Sequence, residues 1–233
     1  MAKSEGRQFH AQAAILREEG KYIESLSNND QALIAYDNAG DTAGFAEGIA
    51  CRSITLRHLA GLHDSWRFLT LAKYEMLASV EISRKDEDIS AIVLPLFQLA
   101  QIQERLGEYS DAVLSYKEAV ATMETNPPKR HNRPSVLADM KVHMATCEYQ
   151  NGDKSALERA LQALADLKAA KEPNTFNKNV WVSGAYMRLA RIVKNDDPAK
   201  AREYLQEAKN SIDSDKRLVI RKEQWEQLSA TFT

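Results

Sequence analysis

Cysteine is nearly missing from this chain: two residues, Cys51 and Cys147, in 233. That count excludes a secreted disulfide scaffold, and the apolar helical settings of both predict reduced core thiols. Turn formers are scarce as well, with Gly 9 and Pro 6, and aromatics make up 7%. An all-β domain needs more of each, so that class is excluded. Charge of one sign is missing too: Lys and Arg number 31 and Asp and Glu 33. A dedicated nucleic-acid binder carries a basic excess, so nucleic acid is not an expected partner. No apolar run approaches the roughly 18 residues of a membrane span, and membrane insertion is not expected. The start, MAKSEGRQFHAQ, has no apolar stretch behind its charges. It does not read as a secretory signal, and the cytoplasm is the expected location.

Catalytic motifs are equally sparse. There is no Gly-rich phosphate loop, no His-Glu-x-x-His and no paired-cysteine motif, so neither an enzyme nor a metal or other cofactor is expected. His143 and Cys147 lie one helical turn apart, but no third group is in place to orient them as a nucleophile pair.

What the chain has in quantity is Ala, Leu, Glu, Lys, Gln and Arg, the strong helix formers. Apolar positions recur with helical spacing, broken near Gly20, Gly40, Gly61, Arg84–Asp88, Gly107, Asn126–Pro134, Gly152, Glu172–Asn174, Asn195–Pro198 and Ser214. This predicts about eleven helices. Gly20, Gly61, Gly107 and Gly152, with Asp197 in the equivalent place, fall at intervals of 41, 46, 45 and 45 residues. Each is read as the tight turn of a helix hairpin, where glycine takes the left-handed conformation at a helix end. The expected hairpins cover 7–38, 41–84, 88–125, 134–171 and 175–213. A capping helix over 215–232 places Leu218, Trp225, Leu228 and Phe232 on one stripe. The whole of 1–233 then forms one repeat domain. Pro95 sits inside an apolar segment and predicts a helix start or a kink there.

The segment Leu96 to Val120, LFQLAQIQERLGEYSDAVLSYKEAV, resembles a tetratricopeptide repeat. The resemblance rests on Leu99 and Ala100, on the turn Leu106-Gly107-Glu108-Tyr109, and on Ala112, Tyr116 and Ala119. Small residues there let helices approach, and large ones fill the gaps. Three other units match in part; the one around Gly61 keeps only the periodicity and Ala72. The interval exceeds the standard repeat and is similar to the long-helix variants of kinesin light chains, bacterial transcription-activator sensor domains and SNAP-type adaptors. The resemblance implies an all-α right-handed superhelix of about five antiparallel helix hairpins. It also implies a non-catalytic module that binds a peptide or protein in its concave groove.

In such an array the first helix of each hairpin lines the groove. Counting back from each turn, one register holds Ala11, Arg52, Gln98, His143 and Arg188. The next holds Ala14, Thr55, Gln101, Thr146 and Arg191, and a third holds Arg17, His58, Glu104, Tyr149 and Lys194. A fourth, further back, holds Arg7, Gly48, Leu94, Asp139 and Gly184. Registers three or four apart share a helical face. From Arg52 onward that face is polar and weakly basic. The candidate partner contacts are Arg52, Thr55, Gln98, Gln101, His143, Thr146, Arg188 and Arg191, where Arg and Gln suit carboxylates and peptide groups. The lysine–asparagine carboxylate clamp of some tetratricopeptide domains is not matched, since Leu94, Phe97, Gln98 and Gln101 stand on the corresponding helix. Residues 168–233 hold 13 basic and 9 acidic side chains against 18 and 24 before them, which suits an acidic partner. Two alternatives fit the same fold. One is a structural subunit or adaptor using its convex face or C-terminal helix; the other is a peptide or ligand sensor of a regulatory system.

Overall fold

The computed structural model describes residues 2–63 and 65–232. Among these the chain is all-α, with eleven helices and no strand. It divides into two compact units, Met1–Pro128 and Lys129–Thr233.

The first unit holds α1 (Ala2–Glu18), α2 (Tyr22–Asn38), α3 (Thr42–His63), α4 (Trp66–Ser83), α5 (Val93–Arg105) and α6 (Tyr109–Thr125). They pair as α1 with α2, α3 with α4 and α5 with α6, and α3 also packs on α1 and α5. A short 3-10 turn, Ile89–Ile92, precedes α5, so Pro95 lies in the first helical turn, where its missing N–H is harmless. The unit resembling a tetratricopeptide repeat packs as its sequence implies. Ala100, Ala112, Tyr116 and Ala119 are fully buried, and Tyr116 meets Phe97 with ring centroids 5.7 Å apart. The Tyr116 hydroxyl donates to Glu104 Oε2 at 3.0 Å, itself a buried carboxylate.

Gly20 and Gly107 end their helices with φ of 75° and 79°, as a left-handed cap requires. Gly61 does not: α3 runs through it to His63, and the turn comes later. The chain also reverses at Gly40, φ 60°, so the connection from α2 to α3 is as tight as a hairpin turn rather than a longer link. Beyond it Gly44 and Gly48 are buried in α3, and with Gly6 on α1 they let the second helix in close. A Cβ at Gly6 or Gly44 would stand 2.7 or 2.5 Å from the Tyr36 ring, so that ring occupies a slot that any side chain would close.

The second unit holds α7 (Pro134–Gln150), α8 (Ala156–Ala169), α9 (Thr175–Val193), α10 (Pro198–Asp213) and α11 (Val219–Ala230). Here α7 packs on α8, α9 on α10, and α9 on both α7 and α11. Gly152 provides the left-handed cap after α7, and Asp197 accepts from the Lys200 amide to start α10. The stripe on α11 packs within its own chain. Leu218 and Leu228 are buried, Trp225 and Phe232 lean on the core, and the Trp225 indole donates to the Leu205 carbonyl at 2.8 Å. Both cysteines are buried free thiols, and burial raises the Cys51 pKa.

Candidate functional site: two polar helix faces

In the first unit, helices α3 and α5 share a polar face. Arg57 Nη1 donates to Gln98 Oε1 at 2.8 Å and to Gln101 Oε1 at 2.6 Å. Arg105 reaches back to the Arg57 carbonyl at 3.1 Å. Gln98 and Gln101 thus both accept from one arginine, which the register count did not select. His58 lies on the same helix beside this group. Its pKa is pushed down to about 4, first by burial and then by Arg57, Arg17 and Arg105. The ring is neutral at physiological pH. An unfolded chain takes up a proton near 6.5, so His58 contributes stability above that pH that is lost as pH falls toward 4. Replacing it with glutamine is expected to remove about 3 kcal/mol of that acid-side loss, read from urea unfolding at several pH values.

Two expected contacts in this unit are corrected. Arg52 donates to Asp30 on α2 at 2.8 Å and is paired with Glu75 on α4. It therefore faces the second helices of the hairpins, not α5. Arg52 and Arg57 are five residues apart, about 140° around a helix, so they cannot share a face. The count that placed Arg52 level with Gln98 started from Gly61, which is not the turn. Thr55 is fully buried, donating to the Cys51 carbonyl at 3.2 Å and lying 3.1 Å from the Ser25 hydroxyl. With Asn29 it forms a polar strip inside the hairpin interface, which accounts for Ser25 and Asn29 standing where the repeat pattern has Ala and an aromatic.

In the second unit, α7 and α9 carry the other four candidates, and α11 packs on α9 beside them. His143 sits one turn beyond Asp139, its Nε2 3.9 Å from an Asp139 oxygen. Arg188 on α9 donates to Thr146 Oγ1 at 3.4 Å, and Arg191 is exposed one turn on. Thr146 itself is fully buried, its hydroxyl donating to its own helix at the Val142 and His143 carbonyls, so it holds Arg188 but cannot touch a partner. Tyr149 is also turned away, donating to Asp196 under Lys154.

Arg221, which the sequence gives only as part of the basic C-terminal end and not as a groove contact, joins this face. It comes from α11 and passes over α9 where Gly184 leaves room: a Cβ there would lie 3.2 Å from the guanidinium. Burial lowers the Arg221 pKa, opposed by Asp139 and reinforced by Arg188. Asp139 is pushed up to about 7, because burial outweighs the pull of Arg188 and Arg221. Two guanidiniums from α9 and α11 therefore act on one buried carboxylate on α7 whose pKa is raised. As pH falls through about 7 the cluster gains a positive charge. Affinity for an anionic segment on this face is expected to rise about threefold to tenfold from pH 8 to 6, and Asp139→Asn is expected to flatten the dependence.

No family model and no curated protein sequence matches the chain. Solved structures do. A Podosopora anserina protein described as a putative kinesin light chain with nearly identical TPR-like repeats is similar over 91% of this chain and 96% of its own, with TM-score 0.63 and 16% identity. A variant of that protein gives TM-score 0.64 at 17% identity, over 93% of this chain and 99% of its own. BtubC (BKLC) from P. vanneervenii covers 99% of this chain and 82% of its own, with TM-score 0.60 and 18% identity. The fold is that of TPR-like helical repeats. No described helix is long and apolar enough to cross a membrane.

Proposed function

We propose that this protein is a non-catalytic interaction module that holds an acidic segment of a protein partner on the α7–α9–α11 face. The observation that carries the reading is the placing of Arg188 from α9 and Arg221 from α11 around Asp139 of α7, with His143 3.9 Å from that carboxylate and Arg191 exposed one turn beyond Arg188. Guanidiniums offer paired donors to carboxylates, and a preformed helical face orders little on binding. Gln98 and Gln101, held by Arg57, offer peptide-type donors and acceptors on the α3–α5 face and are the second contact region in this reading.

The test uses the full chain and a fluorescent peptide carrying four glutamates among neutral residues. Arg188→Glu with Arg191→Glu is expected to weaken its binding by at least about tenfold at low salt, and added salt should weaken the intact protein. Capture from the source lysate should then lose the same partner with the variant. Binding unchanged by the double reversal would move the site off this face.

A further inference from the structure

The second helices of the first unit expose apolar side chains to an unusual degree. Ile34 on α2 and Leu71 and Tyr74 on α4 are more than half exposed. Between α2 and α4 lies an open cleft of about 430 Å³, floored by Phe45, Ile49 and Arg52 of α3 and walled by Leu33, Tyr74 and Ala78. Its polar rim is acidic. Asp30 and Glu75 both pair with the one Arg52, and the second Glu75 oxygen is buried without a hydrogen-bond partner. Burial raises the Glu75 pKa, with Arg52 opposing. The cleft thus combines an apolar floor with an excess carboxylate that a cation would satisfy.

The chain carries the complement. At the start of α11, Val219 and Ile220 are exposed, at 58% and 40%, beside the exposed Lys216 and Lys222. The units themselves are oppositely charged: residues 1–128 hold 12 basic and 19 acidic side chains, and 129–233 hold 19 and 14. Such asymmetry steers unlike ends of two copies together and like ends apart.

We propose that the α2–α3–α4 cleft binds the Lys216–Lys222 tip of α11 from a second copy of this chain, head to tail. Val219 and Ile220 enter the apolar floor, and a lysine reaches Glu75. The contact joins two different surfaces, so it leaves a free cleft on one copy and a free tip on the other and adds further copies in the same way. A weak association is expected, since the apolar area is small and the charge pairs lie near solvent.

Sedimentation velocity on the intact chain tests this. At low salt the mean mass is expected to rise above the monomer by about 100 µM, and to return to the monomer in about 0.5 M salt. Glu75→Lys in the cleft and Lys216→Glu with Lys222→Glu on the tip should each abolish the rise. Tyr74→Lys, at an exposed position, repeats the cleft test without touching the Arg52 pair. Mixing the cleft variant with the tip variant restores one intact contact, so the mixture should form dimers and stop there. A monomer at all concentrations overturns the proposal, as it would if α11 folded back or the cleft served a foreign helix. Association that ignores these substitutions, or a mixture that stays monomeric, overturns it as well.

Discussion

Replacing Arg133 with methionine is expected to destabilise the second unit by about 3–5 kcal/mol at neutral pH. Arg133 precedes α7 and donates to Glu172 Oε1 at 2.8 Å, while its guanidinium lies over the Trp181 ring. The Glu172 side chain is fully buried, whereas that of Arg133 keeps 31% of its exposure. Glu172 also accepts from the Ser135 hydroxyl at 2.6 Å and the Asn174 amide at 3.3 Å, tying the α8–α9 connection to the start of α7. Methionine keeps much of the volume but leaves a carboxylate in the interior with no countercharge. Arg133→Lys keeps a cation near Glu172 but loses the planar stack on Trp181, so it should recover much of the loss. Thermal unfolding of the two variants reads both parts, and equal losses would mean that packing on Trp181, not charge, is what Arg133 supplies.

Tyr116→Ala is expected to cost the first unit about 3–5 kcal/mol. The fully buried ring packs against Phe97 between α5 and α6, and its removal opens a cavity there. It also removes the hydrogen bond that the hydroxyl gives to Glu104. Tyr116→Phe keeps the ring and isolates that bond, at about 1–2 kcal/mol. Urea unfolding of the two variants separates filling from bonding; equal losses would place the whole effect in the hydrogen bond.

The helix-pair fold was legible because close packing imposes a pattern that survives in one chain. Ala100, Ala112 and Ala119 are small where helices touch, and Gly20, Gly107 and Gly152 stand where the backbone must turn left-handed. Gly61 shows the limit: glycine permits a turn without requiring one, and α3 passes through it with an Arg105 nitrogen 3.5 Å from the missing Cβ. On the candidate faces, residues repeating along one helix were readable, as with Gln98 and Gln101 on α5 or Arg188 and Arg191 on α9. Groups delivered from another helix were not. Arg57 and Arg221 act across to Gln98 and Asp139, at separations of 41 and 82 residues that no periodicity links. Burial was also hidden: Thr55 and Thr146 share the spacing of an open face, yet their hydroxyls bond to carbonyls of their own helices.

The Tyr36 slot bears on how freely such an array can be rearranged. Arrays of this kind are often treated as interchangeable bricks, to be duplicated, deleted or grafted. Here the first hairpin is keyed to its neighbour: the Tyr36 ring on α2 fits only where α1 offers Gly6 and α3 offers Gly44. A hairpin copied from elsewhere in the chain would bring a side chain into that slot. Helices α1 to α3 are therefore one indivisible piece, and lengthening or shortening the array by design has to begin after α3.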